Sequence, residues 1–89
     1  MRARTESMRS PRGNRVPNQF LIHTDEGTYF QSYQTVIAFK PWDGKVQLDR
    51  EAWDYSKTTG KYRNQFLDET KRETEAKIKA GEYEMVDLN

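Results

Sequence analysis

The chain has 89 residues, of which 34% are apolar, 33% charged and 12% aromatic. That is room for one small domain with a modest, largely aromatic core. Cysteine is absent, which excludes a disulfide scaffold and thiolate metal sites, and no apolar run approaches the ~20 residues of a membrane span.

The net charge of +1 conceals an asymmetry. Residues 1–16 hold five Arg and one Glu, and the remainder carries −3. Apart from Ala3, Met8 and Val16, residues 1–17 are polar or turn-forming. Such a segment buries too little surface to offset its ordering entropy. It is expected to be a disordered basic arm, with residues 18–89 forming the domain. No apolar segment follows the arginines, so no secretory signal is expected, and the chain reads as soluble and cytoplasmic.

The run QFLIHT from Gln19 predicts a short strand, and Asp25-Glu26-Gly27 a three-residue hairpin loop with Gly27 in a left-handed bulge position. TYFQSYQTVIAFK (28–40) follows, rich in aromatic and β-branched residues, and reads as one long strand. Alternation puts Tyr29, Gln31, Tyr33, Thr35, Ile37 and Phe39 on one side of it. Pro41-Trp42-Asp43-Gly44 predicts a turn and KVQLD (45–49) a third strand. The helix that covers this sheet is expected over about 56–80. Ser56, Thr58 and Thr59 are its candidate N-caps. Tyr62, Phe66, Leu67, Thr70, Thr74 and Ile78 form its stripe, and Gly81 is its stop. Asp68–Arg72, Glu73–Lys77 and Glu75–Lys79 are spaced for i,i+4 ion pairs. The tail EYEMVDLN is either a short edge strand or disordered. The predicted architecture is α+β: a three-stranded antiparallel meander packed by one C-terminal helix.

The chemistry-bearing motifs are sparse. TTGK (58–61) does not satisfy a P-loop, because Tyr55 and Tyr62 occupy its fixed Gly and Ser/Thr positions. It reads as a helix start whose free N–H groups, with Lys61 and Arg63, can attract an anion. His23 stands alone, without the partners a metal site needs. No catalytic residue, metal ligand or cofactor is expected, and the protein reads as a non-enzyme. Tyr29, Phe30 and Tyr33 suit base stacking, but core packing explains them more readily in so small a domain. Trp53 and Tyr55 are expected to pin the strand-to-helix connection onto the sheet. Arg2, Arg4, Arg9, Arg12 and Arg15 are candidate phosphate contacts.

FQSYQTVIA (30–38), GKVQLD (44–49) and WDYSKTTGKYRNQFL (53–67) together resemble a group of small bacteriophage proteins. Their shared pattern runs near F-x-S-Y-x-T-x-I-A, then a Gly turn, then W-D-Y-S-x-T-T-x-K-x-x-x-x-F-L. The resemblance covers about half the chain and implies phage or prophage origin and a small cytoplasmic factor, with no established chemistry. Its signature positions are Ser32, Thr35, Trp53, Asp54, Ser56, Thr58, Thr59, Lys61 and Phe66. Asp54 and Ser56 can accept N–H bonds at the helix start, and Ser32 and Thr35 can bond to that connection, locking helix to sheet. The same residues can equally form a recognition surface. The candidate binding surface is accordingly Ser32, Thr35, Trp53, Thr58, Thr59, Lys61, Arg63 and Asn64. The favoured partner is a host protein that the chain inhibits or adapts. DNA or RNA held by the basic arm and helix start is the alternative, and no membrane partner is expected.

Overall fold

The computed structural model of the chain describes residues 3–89. Six strands form a single sheet in sequential order: β1 (Ala3–Arg9), β2 (Arg15–Thr24), β3 (Gly27–Ser32), β4 (Thr35–Pro41), β5 (Gln47–Asp49) and β6 (Glu84–Val86). The first four junctions are antiparallel. The last, β5 with β6, is parallel, because the chain returns through two helices, α1 (Lys57–Leu67) and α2 (Lys71–Lys79). The α+β class holds. The three-stranded meander with one helix is corrected to a six-stranded mixed sheet with two.

Three differences account for that correction. First, the basic arm is not disordered. Residues 3–9 pair with β2, with Ala3 opposite Thr24 and Ser7 opposite Phe20. Composition alone missed that Met8 (3% exposed) and Val16 (8%) are buried anchors. A paired strand also satisfies its backbone polar groups without needing many apolar side chains. Second, 28–40 is not one strand. It turns at Tyr33-Gln34, where neither residue is glycine, asparagine or aspartate, the types that normally supply positive φ. Third, the helix breaks at Asp68, whose φ is 56°. Thr70 then starts α2 with a capping box: its hydroxyl accepts from Glu73 N–H, and the Glu73 carboxylate accepts from Thr70 N–H. That T-x-x-E signature stands in the sequence and marks a helix start. α2 consequently folds back, burying Thr74 completely, rather than projecting into solvent.

The turn after β2 also differs in kind. Thr24 Oγ1 accepts from the N–H groups of Glu26 and Gly27. Gly27 is the first residue of β3, with φ 154°. A Cβ there would lie 2.2 Å from the Lys40 carbonyl oxygen, so the glycine permits close approach of β4 rather than a left-handed bulge. The C-terminal tail resolves as the edge strand β6.

The core lies between the sheet and α1. Phe30, Ile37, Ala38, Leu48, Ala52, Met8 and Phe66 form it, with the Phe30 and Phe66 rings 5.7 Å apart. Phe30 pairs with Ala38 but Gln31 pairs with Val36. Ile37 is therefore the extra residue of a bulge, and it is fully buried. Lys40 Nζ donates to the Phe66 carbonyl at 2.9 Å and sits 4.4 Å from the Phe66 ring centre. A cation at the last carbonyls of α1 complements the helix dipole.

Candidate binding surface

The predicted surface residues separate into two groups. Ser32, Thr59 and Arg63 are buried, at 3%, 1% and 1% exposure. Ser56 caps α1, its Oγ accepting from Thr59 N–H. The Thr59 hydroxyl meets Ser32 Oγ at 3.0 Å, a direct polar tie between helix start and sheet. Arg63 lies beneath the preceding loop. Its Nη1 donates to the Trp53 carbonyl at 2.6 Å and to Asp54 Oδ1 at 3.2 Å, and its Nη2 donates to Asn64 Oδ1 at 3.0 Å. The guanidinium stands 5.1 Å from the Trp53 ring centre, within cation–π range. A Cβ at Gly60 would meet Nη2 at 3.6 Å, ordinary contact, so the guanidinium does not require glycine there. Trp53, Arg63 and Asn64 thus occupy one another, and this cluster locks α1 to the sheet. Thr58 and Lys61 remain exposed on the outer side of α1.

A depression of about 490 Å³ opens at the α1 start, lined by Ser56, Lys57, Gly60, Lys61, Asn64 and Lys71 among others. It also contains Asp54, 2.7 Å from Lys71 Nζ and bonded to Arg63. The Lys71 hydrogen bond lowers the Asp54 pKa, outweighing partial burial, with Arg63 adding to the effect. A carboxylate therefore already holds the place where an anion would bind. TTGK is the first turn of a helix; Arg63 and Lys71 beside it are engaged by Asp54, while Lys57 and Lys61 line the same depression.

Two further carboxylates are held ionised. Burial works against the charge of Asp49, but hydrogen bonds from Leu88 N–H, the Asn89 side chain and the N–H groups of Ala52 and Glu51 lower its pKa overall. Burial likewise opposes the charge of Glu69, whose side chain is 2% exposed. Lys77, Thr74 and Tyr83 donate to it and bring its pKa below the ordinary value. Lys77 thus pairs with Glu69, in the α1–α2 connection, instead of the i,i+4 partner Glu73 that spacing suggested, and Lys71, for which spacing suggested no partner, pairs with Asp54.

The accessible surface lies elsewhere, around the β3–β4 turn. Two adjoining cavities share Gln34, Thr35 and Tyr55. One, of about 680 Å³, is walled by Asn18, Phe20, Ser32 and Tyr33. The other, of about 650 Å³, carries Asp49, Glu51, Asp87 and Asn89. Tyr33 is 55% exposed and Tyr55 71%. Tyr55 does not pin the connection to the sheet; it stands out from it. Of the sequence candidates Thr35 and the buried Ser32 line this groove. Tyr55 was missed as a contact residue, and Tyr33 was weighed only for base stacking, because an aromatic residue in a small domain reads first as core.

The basic candidates also take shape. Arg9, Arg12 and Arg15 cluster at the tip of the β1–β2 hairpin. Arg9 Nη1 donates to the Gly13 carbonyl and Arg15 Nε to Ser7 Oγ. Arg4 lies farther along β1, 3.8 Å from Glu6. Arg2 lies outside the described residues. His23 contacts Thr28 Oγ1 through Nδ1 and Glu6 Oε2 through Nε2, each at 3.1 Å. Among the described residues no group of three or more His, Cys, Asp or Glu is placed to hold a metal ion, and no helix is long and apolar enough to cross a membrane.

Comparison with known proteins returns no match among curated proteins and none among solved structures. Residues 4–83, from β1 to the residue before β6, match a family described as a family of unknown function, DUF8033, and the chain belongs to that family.

Proposed function

We propose that this is a small non-enzymatic binding protein that engages and modulates a host protein, as inhibitor or adaptor, through the groove around the β3–β4 turn. The resemblance to phage proteins is what suggests the cytoplasm of an infected bacterium as its place of action. One observation carries the reading. Tyr33 has φ 56°, a conformation that costs an L-residue other than Gly or Asn roughly 1–2 kcal/mol. Its backbone is fixed by other means: its N–H donates to the Asn18 carbonyl at 2.7 Å and its carbonyl accepts from Gln31 Nε2 at 2.8 Å. The side chain is mostly in solvent. The fold therefore asks for glycine or asparagine here and holds a tyrosine instead. Exposed tyrosine pairs beside a partly apolar cavity are the composition of interface hot spots.

A second reading rests on the hairpin tip. Arg9, Arg12 and Arg15 project together on a two-stranded ribbon, a shape that fits a nucleic-acid groove. Pull-down from bacterial lysate separates the two, with and without nuclease. Wild type, a Tyr33→Ala/Tyr55→Ala variant and an Arg9→Ala/Arg12→Ala/Arg15→Ala variant are compared. The host-protein reading expects a defined protein that survives nuclease, is kept by the arginine variant and is lost by the tyrosine variant. Nucleic acid bound by wild type and lost only with the arginines would replace it with the second reading.

A further inference from the structure

The sheet has two faces, and α1 covers one. Residues directly paired across neighbouring strands share a face. Leu21, Phe30, Ala38 and Leu48 belong to the covered side. On the other side one row runs Thr5, Ile22, Tyr29, Phe39, Gln47 across five strands. Beside it lie Phe20, Gln31 and Val36. None of these is charged, in a chain where 33% of residues are; the row meets its first charge at the sheet edge, where Gln47 pairs with Glu84. A solvated antiparallel face normally alternates to polar residues on its outer side. Here the centre is Ile22 with the Tyr29 and Phe39 rings stacked at 4.1 Å; neither ring belongs to the cluster beneath α1, Ile22 and Tyr29 are half-buried, and Phe39 is 6% exposed.

We propose that this face is the interface of a symmetric homodimer, with the two sheets packed face to face. A twofold axis lays a patch on its own copy, so any strong charge would meet its like; a neutral apolar patch with an uncharged polar rim of Thr5, Gln31 and Gln47 meets that requirement. Nucleic acid would require cations, and the arginines cluster at the hairpin tip instead. Size agrees as well. The broad face lies within 34 × 31 Å, which has room for the ~800 Å² per partner of a stable interface. The molecule is only 20 Å deep, the depth of a sheet and one helical layer, so a second sheet gives this small domain the second core it lacks. The dimer goes beyond the host-protein reading. Its centre is the mid-sheet row, whereas the tyrosine groove lies at the β3–β4 end; the two meet at Phe20, which also walls the groove.

Sedimentation equilibrium on the full chain tests it. The expected mass is twice the 10.6 kDa of one chain. Ile22→Lys and Ile22→Glu should each be monomeric, and an equimolar mixture should recover dimers, since opposite charges then meet across the axis. Thr5→Arg, at an exposed rim position, should weaken the dimer at least tenfold and decides the matter if the Ile22 variants lose their circular dichroism signal. A monomeric wild type at interface-relevant micromolar concentration overturns the proposal. So does a dimer that tolerates Thr5→Arg and Ile22→Glu but is lost with Thr5→Pro, which would place the contact on the open edge of β1. Loss of host-protein capture by the tyrosine variant, with the dimer intact, would show the two surfaces to be separate.

Discussion

Truncating Arg63 to alanine is expected to destabilise the fold by about 1–4 kcal/mol. The sum follows from what the side chain touches. The Trp53 carbonyl loses its 2.6 Å donor, and a buried acceptor left unpaired costs about 1–3 kcal/mol. Removing the buried methylenes costs about 0.8 kcal/mol each. The Asp54 pair adds little, about 1 kcal/mol or less, because Asp54 is 34% exposed and solvent screens it. Against these losses, roughly 2 kcal/mol of arginine rotamer entropy is released. A domain of this length has a total stability of roughly 4–13 kcal/mol, so the variant loses a large fraction. Urea unfolding followed by far-UV circular dichroism reads the change. With a slope of about 1 kcal/mol/M, the midpoint falls by about 1–4 M. Lys61→Ala, exposed on the same helix, serves as control and should move stability by less than about 0.5 kcal/mol. A loss below about 1 kcal/mol for Arg63→Ala would refute the structural role and return the guanidinium to the list of ligand contacts.

Three further outcomes follow from local geometry. Gly27→Ala forces a Cβ to 2.2 Å from the Lys40 carbonyl oxygen and 2.7 Å from Pro41 Cα; both are backbone, so the β3–β4 pair must part at a cost of about 2–3 kcal/mol, read as a fall in Tm. Thr70→Ala removes the α2 capping box and should cost about 1 kcal/mol, seen first as faster amide exchange in α2. Acid should destabilise the protein. Asp49, Asp54 and Glu69 all have folded pKa values below their ordinary 3.8–4.5, so the unfolded chain takes up protons first. Their contribution is complete above about pH 4.5 and is lost as pH falls through the depressed folded values. Urea midpoints that stay level between about pH 5 and pH 3 would contradict this.

How much was legible from sequence differs between elements for physical reasons. The Ser56 cap, the strand QFLIHT and the stop at Gly81 are local effects, and local pattern located them. A tie from Ser32 to the helix start was anticipated from its hydroxyl, though Thr59 as the partner was not. The Tyr33-Gln34 turn was not legible, since it violates the residue preference that makes turns readable. The β1 strand was missed because composition averages over Met8 and Val16, whose burial depends on partners far away in sequence. Arg63 was placed on the surface because an arginine in a polar run is normally solvated. Only the fold reveals that the Trp53 carbonyl and Asp54 lie above it.

The Tyr33 turn separates what the fold needs from what function keeps. Tyr33→Asn retains both backbone bonds, to Asn18 and from Gln31, and places at φ 56° a residue that tolerates it. The turn should become more stable by about 0.5–1 kcal/mol, because the strain of a tyrosine there is relieved while an exposed ring gives up little packing. Tm should rise. If the groove binds a partner, the same substitution should weaken that binding at least tenfold, as removal of an aromatic hot-spot residue does. Opposite signs for stability and affinity at one residue mark a side chain retained against the preference of its own backbone. Stability that falls with Tyr33→Asn would instead assign the ring a packing role, and the reading of this groove as a contact surface would lose the observation that carries it.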